Sequence, residues 1–167
     1  GYISDILTPP FASVEIIIAF TVGAVLRGIF VGIAVAIALA PFVDYTLAHP
    51  FLLVFYVLAS CTLLGKLGLL SGLFSNSFDQ HSAITSYLIT PLSFLSGTFY
   101  SVQSLPPIFQ QINLLNPFFY IIDGFRYCLT DQADGNITGG VLFLMIANGI
   151  MYSILVKLID KGWRIKS

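Results

Sequence analysis

Four long apolar runs divide the chain, at 22–43, 51–73, 84–99 and 141–159. A bilayer core of ~30 Å takes about 20 helical residues, so each reads as a transmembrane helix. The run 84–99 is short on that measure and needs its flanking Ser and Tyr. Between the first two lies "DYTLAHP" (44–50), a tight turn whose Pro50 opens the next helix. "FSNSFDQHS" (74–82) is a short polar connection, and a long one follows between 100 and 140. Ahead of the first run, "ISDILTPPFASVEIIIAF" breaks at Thr8-Pro9-Pro10 and then sets Ser13 and Glu15 among apolar residues. That pattern predicts a short interfacial helix that turns into the first span.

The long connection contains a fifth apolar run, "LLNPFFYIIDGFRY" (114–127). Pro107 and Pro117 each suit the first turn of a short helix, and Asn116 suits its cap. Two helices of about ten residues cannot each cross the core, but a helical hairpin can enter the outer leaflet or lie in the interface. Asp123 and Arg126 stand three apart, which predicts a pair on one helix face. The alternative is that both charges face water.

Charge fixes the orientation. Arg27, Lys66, Lys157, Lys161, Arg164 and Lys166 fall on one face of a four-span protein. Asp44, His49, Asp123, Asp131 and Asp134 fall on the other, so both termini are expected in the cytoplasm. Arg27 and Lys66 lie inside apolar runs and are read as snorkelling to the nearer interface. A fifth span would put the basic C-terminus outside.

Small residues recur at helical spacing. Gly28, Gly32, Ala36 and Ala40 line one face of the first span, and Cys61, Gly65, Gly68 and Gly72 do the same in the second. Such stripes let helices approach closely, either in ordinary packing or in a subunit contact.

Composition agrees. The chain of 167 residues is 57% hydrophobic and 9% charged, with a mean hydropathy of +0.92. No soluble domain hides that much apolar surface. The net charge of −1 argues against nucleic acid. Gly65-Lys66 is followed by Leu67 where a phosphate-binding loop needs Ser or Thr, and there is no metal-binding motif. Cys61 and Cys128 form no framework. The absence of an initiator Met suggests a piece of a longer protein.

"SDILTPP" with a Gly-Arg-Gly-rich span after it, then "ITSYLITPLSFLSGTFYSVQSLPPIFQQINLLNPFFYIIDGFRY", then a last span ending in basic residues, resembles the permease subunits of ABC type-2 exporters. The nearest likeness is to bacterial permeases for polysaccharides, nodulation factors and drugs. The resemblance implies an all-α integral membrane fold. Residues 1–20 would be a cytoplasmic coupling segment, with Ser4, Asp5, Ser13 and Glu15 meeting an ATPase. Pro91, Gly97, Phe99 and Tyr100 would lie on the fifth family span and its exit. Leu105, Pro106, Asn116, Pro117, Asp123, Phe125, Arg126 and Tyr127 would belong to an external hairpin over 101–130. The family's first two spans would be absent. The implied function is ATP-driven export of a lipid, glycan or drug-like substrate across the inner membrane. Two permease chains would pair, and ATP and Mg would bind only the partner ATPase, leaving no catalytic residue here. A non-transporting scaffold and part of a secondary transporter are the other readings.

Overall fold

The computed structural model describes residues 12–42, 47–75, 77–98 and 101–161. Among them the regular secondary structure is all helical. Helix α1 is Ser13–Leu39 and α2 is Pro50–Phe74. A broken rod follows, made of α3 (Phe78–Ile84), a π-helical turn (Thr85–Ile89) and α4 (Thr90–Leu95). A 3₁₀ turn at Val102–Ser104 leads to α5 (Pro107–Asn113), α6 (Pro117–Thr130) and α7 (Ile137–Asp160).

Among the described residues three helices, α1, α2 and α7, are long and apolar enough to cross a membrane. The expected span at 84–99 is not one such helix. Pro91 has no N–H for the carbonyl four residues back, and its ring crowds that turn. The chain widens there, so the Thr90 N–H bonds to the Thr85 carbonyl five residues back. Gly97 ends the rod with φ 86°, a backbone angle that favours glycine.

Contacts set the direction of each rod. Gly28 meets Cys61, and Gly65 meets Ala24, so α1 and α2 are antiparallel. Tyr56 reaches Ile137 and Thr62 reaches Asn148, so α2 and α7 are parallel. The start of α1 and the ends of α2 and α7 therefore share one end of the bundle. Ile17, Leu155 and Ile159 form an apolar cluster there, with Leu69, Leu70 and Leu73 against it. Because α2 and α7 run the same way, the chain between them must return to the other end. The broken rod makes that return. His81 lies by Ser71 (2.9 Å) at one end, and Gly97 lies by Arg126 (2.5 Å) at the other.

The first span starts earlier than the apolar pattern suggests. Instead of a turn near residue 20, α1 is continuous from Ser13, and the Glu15 carboxylate accepts the Ala12 N–H at 3.1 Å. Ile16 to Phe20 are helix-compatible and apolar, so nothing breaks the helix between cap and span. Ser4 and Asp5 lie outside the described residues, as do Asp44, Phe99, Tyr100, Arg164 and Lys166.

The second core cluster joins α2, α6 and α7 through Tyr56, Leu63, Ile121, Cys128 and Leu144. Gly124 makes it possible, because a Cβ there would collide with the Tyr56 ring. The middle of the broken rod is exposed, with Tyr87 at 83%.

Candidate functional site

The segment between α4 and α7 folds into a cap over one end of the bundle. Pro117 opens α6, and the Asn116 side chain accepts the Phe118 N–H at 3.0 Å. The same amide donates to the Leu92 carbonyl, and Asn113 donates to the Leu95 carbonyl, both at 2.8 Å. Those carbonyls are the ones left free where the broken rod stops. Both Asn residues are buried. One amide thus starts a helix and closes another.

Asp123 and Arg126 do not pair with each other. Asp123 is 4% exposed, and its carboxylate accepts the backbone N–H groups of Asp134 (2.7 Å) and Gly135 (3.0 Å). Arg126 instead donates to Asp134 Oδ2 at 2.9 Å and to the Gly97 carbonyl at 2.5 Å. Asp134 also accepts from Ser101 Oγ (2.9 Å) and the Val102 N–H (3.0 Å). The helical register offered an i, i+3 pair, but the turn before α7 supplies better-placed donors to Asp123 and a better-placed acceptor to Arg126. Asp131 and Asp134 belong to that turn. Asp131 ends α6 at φ 59°, and its carboxylate lies 3.0 Å from His49, whose ring stacks on Tyr127. The α1–α2 connection is therefore tied to the same cap.

Phe118, Phe119 and Ile121 are buried, but α6 packs on α2 and α7 more than on the broken rod. Burial pushes the Cys128 thiol above its ordinary range, which keeps it protonated and unreactive. A groove of about 390 Å³ runs beside α5, with Gln103, Gln111, Tyr120 and Asn136 on its walls.

A second polar cluster lies inside the bundle. Asn148 stands midway along α7 and takes Thr62 Oγ1 at 2.9 Å and Lys66 Nζ at 3.1 Å on its side-chain oxygen. Its NH₂ donates to the Ala59 and Leu144 carbonyls at 3.1 and 2.9 Å. Lys66 is thus turned into the α2–α7 contact rather than snorkelling to an interface. Arg27 departs from the expectation too. With α1 starting at Ser13, it sits about 21 Å along a helix of about 40 Å, at 1.5 Å per residue, and is exposed.

The two small-residue stripes are only partly used within the chain. Gly28 and Gly65 carry the α1–α2 approach, and a Cβ on Gly65 would sit 2.6 Å from Ala24 Cβ. Gly32, Gly68 and Gly72 have open space where a Cβ would stand, and Ala36 is exposed. Ser13 donates to Asp160 at the end of α7, which ties the start of α1 to the last span.

Sequence reasoning missed Asn148, Asp134, Asn113 and Gly124. Asn148 carried a signal, being an amide in an otherwise apolar span. Nothing local distinguished the other three, because the partners that fix them lie on other elements, 8 to 68 residues away in sequence, as Arg126–Asp134, Leu95–Asn113 and Tyr56–Gly124 illustrate.

The family description "ABC-2 type transporter" matches residues 1–130. The chain is 35% identical over 167 residues to the inner membrane transport permease YadH of Escherichia coli strain K12, covering 99% of this chain and 64% of that protein. The same values hold for YadH of Escherichia coli O157:H7 and of Shigella flexneri. No solved structure matches the chain. The chain spans just under two thirds of the curated relatives it matches. The match to the family over residues 1–130 and the identity to these permeases over nearly the whole chain show that the chain belongs to the membrane-domain family of the ABC-2 type transporters.

Proposed function

We propose that this chain is part of an inner-membrane permease that exports a lipid, glycan or drug-like substrate, driven by ATP hydrolysis on a separate subunit. The observation that carries the reading is the contrast between the bundle's ends. One end is closed by the Asp123–Arg126–Asp134 cap. The other presents the start of α1, held to α7 by Ser13–Asp160. In this reading the broken rod is a fourth crossing. Its 18 helical residues, read from three consecutive elements of 7, 5 and 6, reach about 27 Å at 1.5 Å per residue. The capped end faces outward, and both termini face the cytoplasm. Lys157 and Lys161 near the end of α7 support that orientation.

The work cycle follows from two-state coupling. An ATPase docks on the segment that includes Ser4 and Asp5 and on the first turn of α1, with Ser13 and Glu15. ATP and Mg bind that subunit, and its closure pushes α1 along α2. The glycine contacts at Gly28 and Gly65 let the two backbones slide, and a second permease chain completes the path. This chain supplies movement and passage, and hydrolysis stays on the partner.

The test uses the full-length protein with its ATPase. A Cys in place of Ser13 or Glu15 is expected to cross-link to the ATPase with an efficiency that changes on adding nucleotide. No cross-link from any position between Ser4 and Glu15 would overturn the coupling.

One observation favours a second reading. Lys66 with Asn148 and Thr62 is an ionisable group inside the bundle, as a secondary transporter uses. Transport that persists without ATP and collapses with an uncoupler would select it.

A further inference from the structure

The groove beside α5 has no part in the cycle proposed above. It encloses about 390 Å³ between α5, the start of α6 and the first turn of α7. That lies within the ~300–1,000 Å³ of small-molecule sites. Its walls are largely apolar, with Pro107, Leu114, Phe119 and Tyr120 among them. They are also fixed in place. The Tyr120 hydroxyl donates to the Leu114 carbonyl at 2.9 Å, its ring stacks on Phe143 at 4.4 Å, and Phe119 is buried.

The polar side chains of the groove are mostly of one kind. Gln103, Gln110, Gln111 and Asn136 each bring an amide. Gln110 Nε2 donates to the Gln103 and Leu105 carbonyls at 3.1 and 2.8 Å, and the Asn136 side-chain oxygen accepts the Gly139 N–H at 3.1 Å. Among the described residues nothing else binds these two side chains, so the Gln110 oxygen and the Asn136 NH₂ are left over, and Gln111 makes no side-chain bond at all. The charged residue on the walls is Asp134, and Arg126 already meets its carboxylate at 2.9 Å. Gly139 leaves the room. It stands in the first turn of α7, where glycine is a poor helix residue. A Cβ there would meet only Asn136, at 3.6 Å or more, whereas one on Gly140 would lie 3.2 Å from the Tyr56 hydroxyl. Packing accounts for Gly140 and not for Gly139.

A groove without free charge offers no counter-ion to an ionic headgroup. A hydrocarbon chain laid in it would strip water from the amides and give no hydrogen bond back. A sugar ring meets both demands. Each hydroxyl donates and accepts, as do the NH₂ and oxygen of an amide, and the C–H face of the ring suits an apolar wall. We propose that the groove binds a neutral sugar ring of a glycan. Gln111, Gln110 and Asn136 take its hydroxyls, and Leu114 and Tyr120 lie against its C–H face. This deepens the export reading by selecting the glycan among its cargoes, and it rests on that reading for the role of cargo but not for the binding itself.

The test is saturation-transfer NMR on the full-length protein in lipid nanodiscs, which keep sugar-headed detergents away. The probes are maltose, mannobiose and chitobiose, and at least one is expected to receive saturation from the protein. Gly139→Leu fills the groove, and Gln111→Ala removes its free amide. Each should weaken binding about fivefold or more, the worth of roughly one hydrogen bond. Gln111 is exposed, so its variant gives a reading even if Gly139→Leu fails to fold. Gly32→Ala, far from the groove, should leave the signal in place. No saturation of any probe, a signal that survives both groove variants, or one lost in Gly32→Ala would overturn the proposal. A capped alanine tripeptide should not displace the sugar, and displacement would overturn the glycan in favour of a peptide. The readout needs no ATPase. Sugar binding without nucleotide-dependent cross-linking would leave this site standing and remove the export reading, and cross-linking without sugar binding would do the reverse. With the ATPase present, the sugar should stimulate hydrolysis in wild type and not in Gly139→Leu. Binding without stimulation would overturn the role of cargo and assign the groove to a glycan already outside.

Discussion

The two ends of the bundle are held together by different physics. At the capped end, directional bonds converge from the broken rod, the 3₁₀ turn, α6 and the turn before α7, onto Asp123, Arg126, Asp134, Asn113 and Asn116. At the other end Ile17, Leu155 and Ile159 meet through apolar contact, with Ser13–Asp160 as a polar tie. Hydrogen bonds with charged partners fix geometry, whereas apolar contact tolerates sliding at little cost. In the proposed cycle the capped end therefore moves as one body, and relative movement of α1, α2 and α7 begins at the other. A permease driven from one face would use that asymmetry.

The strongest way to break the comparison is at Asp123. Asp123→Ala removes the acceptor of two part-buried backbone N–H groups, at up to about 1–3 kcal/mol each. It should lower the melting temperature of the full-length protein more than any other change in the cap. Asp123→Asn should recover only part, because its NH₂ would face an N–H donor. Full stability in Asp123→Ala, read by a thermal shift in detergent, would mean that the cap is not held by this carboxylate.

Gly124→Ala comes next. The new methyl collides with the buried Tyr56 ring, and overpacking of this kind costs about 1–3 kcal/mol. The paired change with Tyr56→Leu should relieve it. By contrast, Gly32→Ala should be close to neutral within a single chain, since nothing lies near its Cβ position. A large loss at Gly32 would show that another chain or segment packs there.

A double-mutant cycle sharpens the cap itself. Arg126→Ala with Asp134→Ala should show a coupling of about 0.5–3 kcal/mol, toward the lower part of that range because Arg126 is partly exposed. Coupling between Asp123 and Arg126 should be smaller, as they share no bond. A small effect is expected at the other end, where Ser13→Ala should cost about 0.5–1.5 kcal/mol at most. It should nevertheless change nucleotide-dependent cross-linking more than Asn116→Ala does, though the latter removes a helix cap of about 0.5–2 kcal/mol.

Much of this was legible in the chain. Apolar runs located α1, α2 and α7, and Pro50 and Pro117 marked where helices start, because these signals are local. The start of α1 was harder to place. Ser13 and Glu15 are polar enough to suggest an interface, yet they also make a good first helical turn, and that difference of nine residues moved Arg27 from the edge of a span to its middle. The charged pair was misread for a similar reason. Register on α6 put Arg126 near Asp123, while its true partner Asp134 lies in a turn whose path depends on how α6 and α7 pack. The Lys66–Asn148 contact joins residues 82 apart, and no pattern within either helix specifies it.

In the proposed arrangement the broken rod crosses the membrane, leaving the cap outside and the start of α1 inside. Single cysteines at Gln80, Gln132 and Lys161 in the full-length protein, labelled with a membrane-impermeant reagent, test it directly. The account predicts that Gln132→Cys reacts in intact spheroplasts, whereas Gln80→Cys and Lys161→Cys react only after the membrane is opened. Reaction of Gln80→Cys together with Gln132→Cys in intact spheroplasts would put both ends of the broken rod on one face and contradict the account.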